Sequence, residues 1–142
     1  MRTKKFIFKD HKADMFIEAY GKSYPEALEN CAQGLFETIA DTQGLKEKEK
    51  LFVMEKASGL PELTTYLLNR IVSEGDAKEM MFKRLKVLSF EEKQDMFFIE
   101  AEAYGQEAVH KLGRMYVKAV THHEAAVEEK KGKWTIKILP DI

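Results

Sequence analysis

The sequence predicts an α+β fold, a mostly antiparallel β-sheet with two amphipathic helices packed on one side, and three observations predict it. Two segments repeat apolar residues at spacings of three and four, the signature of a helix face, whereas several shorter segments alternate apolar and polar residues as strands do. The second half of the chain consists of strand-like segments joined by short polar turns, so hairpins dominate over parallel crossovers. The 142 residues contain no low-complexity stretch and no Pro/Gly/Ser-rich linker. Residues 1–142 are therefore read as a single domain, long enough to bury roughly 68–70% of the surface its unfolded form would expose.

The elements follow in order. Phe6 and Phe8 lie on one face of a short extended segment, and after the polar stretch "DHKAD" (10–14) Met15, Ile17 and Ala19 alternate with Phe16, Glu18 and Tyr20 up to Gly21. Two strands are expected there. Ser23 and Glu26 have capping-box spacing and Pro25 falls in the first turn, where its missing N–H costs nothing, so a helix starts at this point. Leu28, Cys31, Leu35 and Ile39 form its apolar stripe.

"LFVMEK" (51–56) reads as a strand, and Leu60, Leu63, Leu67 and Ile71 mark a second helix for which Gly75 supplies a stop. Residues 80–90 and 96–104 form two apolar strands with "FEEKQD" as the turn between them. "VTHHEAAVEEKKGKWTIKIL" repeats that design, with "KKGK" as the turn and Trp134, Ile136 and Ile138 on one strand face. The tally is two helices and about seven strands. "EAYGKS" (18–23) and "EAYGQE" (102–107) echo one another at strand ends, which is read either as a trace of internal duplication or as the common ending of a strand in a glycine turn.

Composition narrows the function. The 24 acidic and 23 basic side chains leave a formal charge of −1, so little direct nucleic-acid binding is expected unless the basic residues cluster on one face. The one cysteine, Cys31, allows neither an intrachain disulfide nor a cysteine-based zinc site, and it lies on the first helical stripe, where a thiol fills core. The N-terminal apolar run is far shorter than a signal segment and no stretch approaches ~18 apolar residues. A soluble protein of the cytoplasm, with no membrane partner, is expected. There is neither a phosphate-binding glycine loop nor a serine elbow, so no catalytic residue is assigned.

Two acidic clusters remain. Asp10 and Asp14 stand four apart across a turn. Two carboxylates ~4 Å apart repel by roughly 4 kcal/mol at an effective dielectric near 20, which a divalent cation, a shared proton or Lys12 would relieve. At the other end, Asp141 stands beside Ile142, with Pro140 stiffening the exit. If the last strand lies beside the first, Asp14, Asp141 and the Ile142 terminus form an oxygen-only cage suited to Ca²⁺, Mg²⁺ or Mn²⁺. The plain alternatives are a surface salt bridge and a frayed chain end. Lys118, in "VKAVTHH", is either an anchor for an acidic group or an exposed strand residue, and His122 and His123, being adjacent on a strand, point to opposite faces and cannot form a dyad.

Taken together, "DHKAD", "MFIEAYG", the "SYPEALENCAQGLFETIAD" helix, "LTTYLLNRI", "EAYGQE", "VKAVTHH" and "LPDI" resemble, in order and over essentially the whole chain, the motifs of the archease family. The resemblance implies a protein cofactor rather than an enzyme. Archeases assist the GTP-dependent RNA-splicing ligase that joins 3′-phosphate or 2′,3′-cyclic phosphate ends to 5′-hydroxyl ends, by promoting guanylylation of the ligase and restoring its turnover. It also implies a metal site at Asp14, Asp141 and the backbone or terminal oxygen of Ile142, with Asp10, His11 and Lys118 as further functional positions. Three departures stand out: Lys12 replaces the usual Thr, Phe16 a small Gly, and His122 a Tyr. A lysine beside the carboxylates either replaces the metal's charge or weakens its binding. Other readings of the same residues are a chaperone-like adaptor for RNA-modifying enzymes and a small metal-dependent hydrolase using Asp10, His11 and Asp14.

Overall fold

The computed structural model describes residues 4–11 and 14–142, with the side chains of Asp10, His11 and Asp14 left out. Its elements run β1 (Phe6–His11), β2 (Asp14–Gly21), α1 (Tyr24–Ile39), β3 (Glu49–Ala57), α2 (Leu60–Lys78), β4 (Met80–Lys93), β5 (Met96–Glu107), β6 (Ala119–Lys130) and β7 (Lys133–Asp141). The strands divide into a four-stranded sheet, β1-β2-β7-β6, and a three-stranded sheet, β3-β5-β4, antiparallel throughout. Each helix touches both sheets: α1 packs on β2, β7 and β4, and α2 on β6 and β3. Both helices thus cover the inner side of each sheet and leave the outer faces to solvent. Among the described residues no helix is long and apolar enough to cross a membrane.

Local chemistry explains the elements. Ser23 caps α1 by accepting the Glu26 N–H, while the Glu26 carboxylate takes the Lys22 N–H at 2.9 Å, so two orphan donors of the first turn are satisfied. Leu28, Cys31 and Leu35 of its stripe are fully buried, and burial pushes the Cys31 thiol far up, which makes it a packing group rather than a nucleophile. Helix α2 does not stop at Gly75, as the sequence led us to expect, but continues to Lys78, where Glu79 takes the left-handed cap conformation at φ 54°. Gly75 is small for another reason. A Cβ there would lie 2.8 Å from the Phe82 ring, so the glycine admits β4 against the helix.

The two hairpins close more tightly than their polar stretches indicate. Gln94 and Asp95, at φ 54° and 62°, form the whole β4–β5 turn, and Lys131 and Gly132, at 53° and 80°, form the β6–β7 turn. Two residues with positive φ match the right-handed twist of the flanking strands, so the strands run through most of "FEEKQD". Ile17, Ala19, Ile136 and Ile138 from the first sheet and Val53, Ile99, Ala101 and Ala103 from the second join both helices in one buried core.

On the outer faces the echoed "EAYG" stretches adopt one solution twice. In β2 the Tyr20 hydroxyl donates to Glu18 at 2.8 Å, Lys9 pairs with Glu18 at 3.1 Å, and Lys133 Nζ sits 4.5 Å from the Tyr20 ring centre. In β5 Tyr104 donates to Glu102 at 2.8 Å, Lys50 pairs with Glu102 at 3.0 Å, and the Arg84 guanidinium lies 4.4 Å over the Tyr104 ring. Burial raises the Glu18 carboxyl, but the hydrogen bonds from Tyr20 and Lys9 outweigh it and leave the group below its ordinary value. The Tyr104 and Lys50 hydrogen bonds hold Glu102 down in the same way. Burial and the Glu18 carboxylate push the Tyr20 phenol up to about 12, so it stays a donor.

Carboxyls depressed on folding contribute stability that is complete above their unfolded value near 4.5 and is lost as the pH falls through the folded values. The urea midpoint is accordingly expected to be lower at about pH 3 than at about pH 6, and a Glu18→Gln/Glu102→Gln variant is expected to show a smaller drop. An identical drop in both proteins would remove these two clusters as the acid-labile elements.

Candidate functional site

The end of β7 carries the second acidic cluster. The β2–β7 ladder stops at Ile17↔Ile138, whereas β7 stays paired with β6 through Thr121↔Leu139, Val120↔Pro140 and Ala119↔Asp141. Pro140 has no N–H to offer β2, and past this point a cleft of about 250 Å³ opens, with Met15 and Ile17 on one wall and Leu139, Pro140, Asp141 and Ile142 on the other. Thr38, Met115 and Thr121 complete it.

Asp141 and Ile142 are both exposed. The Lys118 N–H donates to the Asp141 carbonyl at 2.8 Å, which commits that oxygen and places exposed Lys118 next to the tip. Among the described residues the Asp141 carboxylate has neither a hydrogen bond nor an ion pair. It is an acceptor held at the edge of a cleft by a strand that is itself firmly paired.

The β1–β2 register sets His11 opposite Asp14 and Asp10 opposite Met15. Continued three residues beyond its last pair, the β2–β7 register sets Asp14 level with Asp141. The side chains of Asp10, His11 and Asp14 lie outside the described residues, as do Lys12 and Ala13 altogether, so a meeting of the carboxylates rests on strand register. Among the described residues no three or more His, Cys, Asp or Glu side chains could hold a metal ion. The described donors at the tip are the Asp141 carboxylate and an oxygen of Ile142, which suit a hard cation, and a fuller cage requires Asp14.

The other singled-out residues separate from this tip. His122 belongs to a four-residue excursion of β6, between the paired residues Thr121 and Ala126, in which Glu124 takes φ 56°. Its Nδ1 lies 2.7 Å from Thr65 Oγ1 and its ring meets Tyr66 edge-on, so it fastens β6 to α2. His123 is exposed beside Glu124 at 3.4 Å. Phe16 is buried on the outer face under Lys137 Nζ, 4.9 Å from its ring centre.

Sequence reasoning missed the two methionines that flank the cleft, Met15 at 45% and Met115 at 43% exposure. Met15 has the strand parity of the core residues Ile17 and Ala19, which by pattern alone sets it among them. Met115 lies between His110–Leu112, a short 3-10 turn, and β6, in a segment without periodicity. An exposed large apolar residue beside an acceptor was the available signal. Flexible, polarizable methionines suit a surface that meets a partner.

The comparisons with known proteins agree with one another. Residues 6–142 match the model of the "Archease protein family (MTH1598/TM1083)". A protein named archease from Sulfurisphaera tokodaii is 32% identical over 141 residues, covering 97% of this chain and 99% of that one. One from Aeropyrum pernix is 26% identical over 140 residues, covering 96% of each chain. The solution structure of protein 1598 of Methanobacterium thermoautotrophicum superimposes with a TM-score of 0.86 at 28% identity, covering 99% of this chain and 100% of that one. A crystal structure from Thermotoga maritima, described as an archease and possible chaperone, shares the fold with a TM-score of 0.60 at 19% identity, covering 100% of this chain and 98% of that one.

Proposed function

Because the chain belongs to the archease family, we propose that it is a non-enzymatic activator of a GTP-dependent RNA-splicing ligase, promoting ligase guanylylation and multiple turnover in tRNA splicing or RNA repair. The observation that carries this reading is the Asp141 carboxylate, without a partner among the described residues, at the exposed end of β7 beside Ile142, where the β2–β7 register, if continued past Ile17↔Ile138, leads to Asp14. Asp14, Asp141 and an oxygen of Ile142 would hold a divalent cation, Ca²⁺, Mg²⁺ or Mn²⁺, whose charge would let the acidic tip approach the nucleotide and phosphate groups of the ligase. Met15 and Met115 supply apolar contact around the tip, and Lys118 and the β6–β7 ladder hold Asp141 in place. Cytoplasmic residence follows from such a partner. The test is multiple-turnover ligation by the cognate ligase with and without this protein; equal product yields per ligase molecule would end the proposal.

A second reading, a chaperone-like adaptor for RNA-modifying enzymes, is favoured by one observation. Phe52 and Met54, 49% and 57% exposed, lie on the outer face of edge strand β3. If this surface binds the partner, co-purification with an RNA-modifying enzyme is lost in a Phe52→Lys/Met54→Lys variant and survives Asp141→Ala. The converse pattern returns the function to the tip.

A further inference from the structure

The near-zero net charge conceals a separation of charge along the strands of the first sheet. β1, β2 and β7 all have one end at the acidic tip, and their opposite ends meet at a trough of about 670 Å³. Among the described residues five lysines line it: Lys4 and Lys5 before β1, Lys22 between β2 and α1, and Lys131 and Lys133 at the β6–β7 turn. β7 alone, nine residues long, sets Lys133 roughly 26 Å from Asp141 at about 3.3 Å per residue.

The five are exposed, and none of them is in an ion pair among the described residues. The trough's two carboxylates are turned to backbone donors, Glu26 to the Lys22 N–H and Glu29 to the Val87 N–H, both at 2.9 Å. The main chain under the lysines is fixed. The Tyr20 N–H donates to the Lys5 carbonyl at 2.9 Å, Asn30 to the Tyr20 carbonyl at 2.7 Å, and the Gly132 N–H to Glu129 at 2.7 Å. The basic residues therefore do cluster at one end, the condition under which composition alone left nucleic-acid binding open.

We propose that this lysine trough binds the phosphodiester backbone of RNA, without reading its sequence. The choice of RNA among polyanions rests on the activator reading above, since such a protein works where RNA ends are joined. Ammonium groups on flexible stems are point charges suited to phosphates, and several of them give affinity by releasing counterions. Among the described residues base readout has no means here: the one aromatic ring lining the trough, Tyr20, is covered by Lys133 and its hydroxyl is committed to Glu18. A membrane surface would want an apolar anchor beside the lysines, and among the described residues none of the exposed large hydrophobic side chains lines this trough.

The experiment is titration of a fluorescent 20-nucleotide single-stranded RNA of mixed sequence, followed by anisotropy at several KCl concentrations, with a poly-U strand and poly-glutamate of equal charge as further arms. Up to five phosphate contacts predict a log–log salt slope no steeper than about −3.5, and equal affinity for both RNAs. A Lys22→Gln/Lys133→Gln variant is expected to flatten the slope by about 1.4, and Lys4→Gln/Lys5→Gln, on a different segment, to do the same. Circular dichroism and the thermal midpoint confirm that each variant is folded.

No RNA binding at about 50 mM KCl, an unchanged slope in both variants, or tighter binding of poly-glutamate than of RNA overturns the proposal; the last assigns the trough to an acidic protein segment. RNA-free guanylylation of the ligase separates the two ideas. The lysine variants are expected to support it fully and Asp141→Ala not at all. Failure of every protein in that assay, with the salt titration intact, would condemn the ligase reading and leave RNA binding standing.

Discussion

Asp141→Ala is expected to reduce multiple-turnover ligation to the rate of the ligase alone, and Asp14→Ala to do the same. Each substitution removes a carboxylate from a site whose described and register-aligned donors are few, so calorimetric titration with Mn²⁺ should show at least tenfold weaker binding, about 1.4 kcal/mol. Stability should hardly change. Asp141 is exposed, its carboxylate has no partner among the described residues, and the hydrogen bond from Lys118 goes to its main-chain carbonyl, which the variant keeps. A shift within about 0.5 kcal/mol in unfolding free energy is expected. Asp141→Asn refines the test, because it keeps the shape and removes the charge. Full activation by both Asp141 variants would show that the β7 terminus is not the working end. Loss of Mn²⁺ binding with activation intact would detach the cation from the function.

Gly105→Ala is expected to be the most damaging single-atom change to the fold. A Cβ at that position would lie 2.0 Å from the Met81 carbonyl oxygen and 2.8 Å from the Phe82 Cα, and neither is the end of a side chain that can rotate away. The β4 backbone would have to move, at a bulge where its register against β5 already shifts between Phe82 and Arg84. Forced overpacking of this kind costs about 3 kcal/mol or more, which in a domain of this size lowers the thermal midpoint by roughly 10 °C. Gly21→Ala, whose Cβ would come 2.4 Å from the Ala27 nitrogen, is expected to behave alike. As a control, Gly132→Asn at the β6–β7 turn should be tolerated, because nothing lies within 4 Å and asparagine accepts φ 80°. A Gly105→Ala protein with an unaltered midpoint would show that β4 yields freely.

The two tyrosine-glycine echoes illustrate how far sequence reading reaches. The repeat itself is visible in the one-letter string, and so is the end of each strand. That both tyrosines donate to the glutamate two residues back, beneath a cation from a neighbouring strand, follows from the register of β1, β2, β7 and of β3, β5, β4. The glycine requirement has different causes at the two places, an α1 backbone in one and a β4 backbone in the other. Gly75 shows the reverse case: the local stop signal does not end the helix, and the glycine instead leaves room for the Phe82 ring.

The candidate site divides along the same line. Asp141 and Ile142 stood out as oxygen donors, and the capping box and both helical stripes were legible, because each depends on residues within a few positions of one another. The partition of seven strands into two sheets was not legible, since strand order depends on contacts between distant segments, such as Ile17 of β2 and Ile138 of β7. By itself the sequence determined the kinds of elements, the apolar faces and the chemical character of the two acidic clusters. Only the tertiary structure decided that β2 and β7 are neighbours, which directs the start of β2 and the end of β7 to the same end of the sheet and gathers five lysines, among the described residues, at the other. The physical reason is that antiparallel pairing fixes which chain ends meet, whereas composition and periodicity record only what each segment carries.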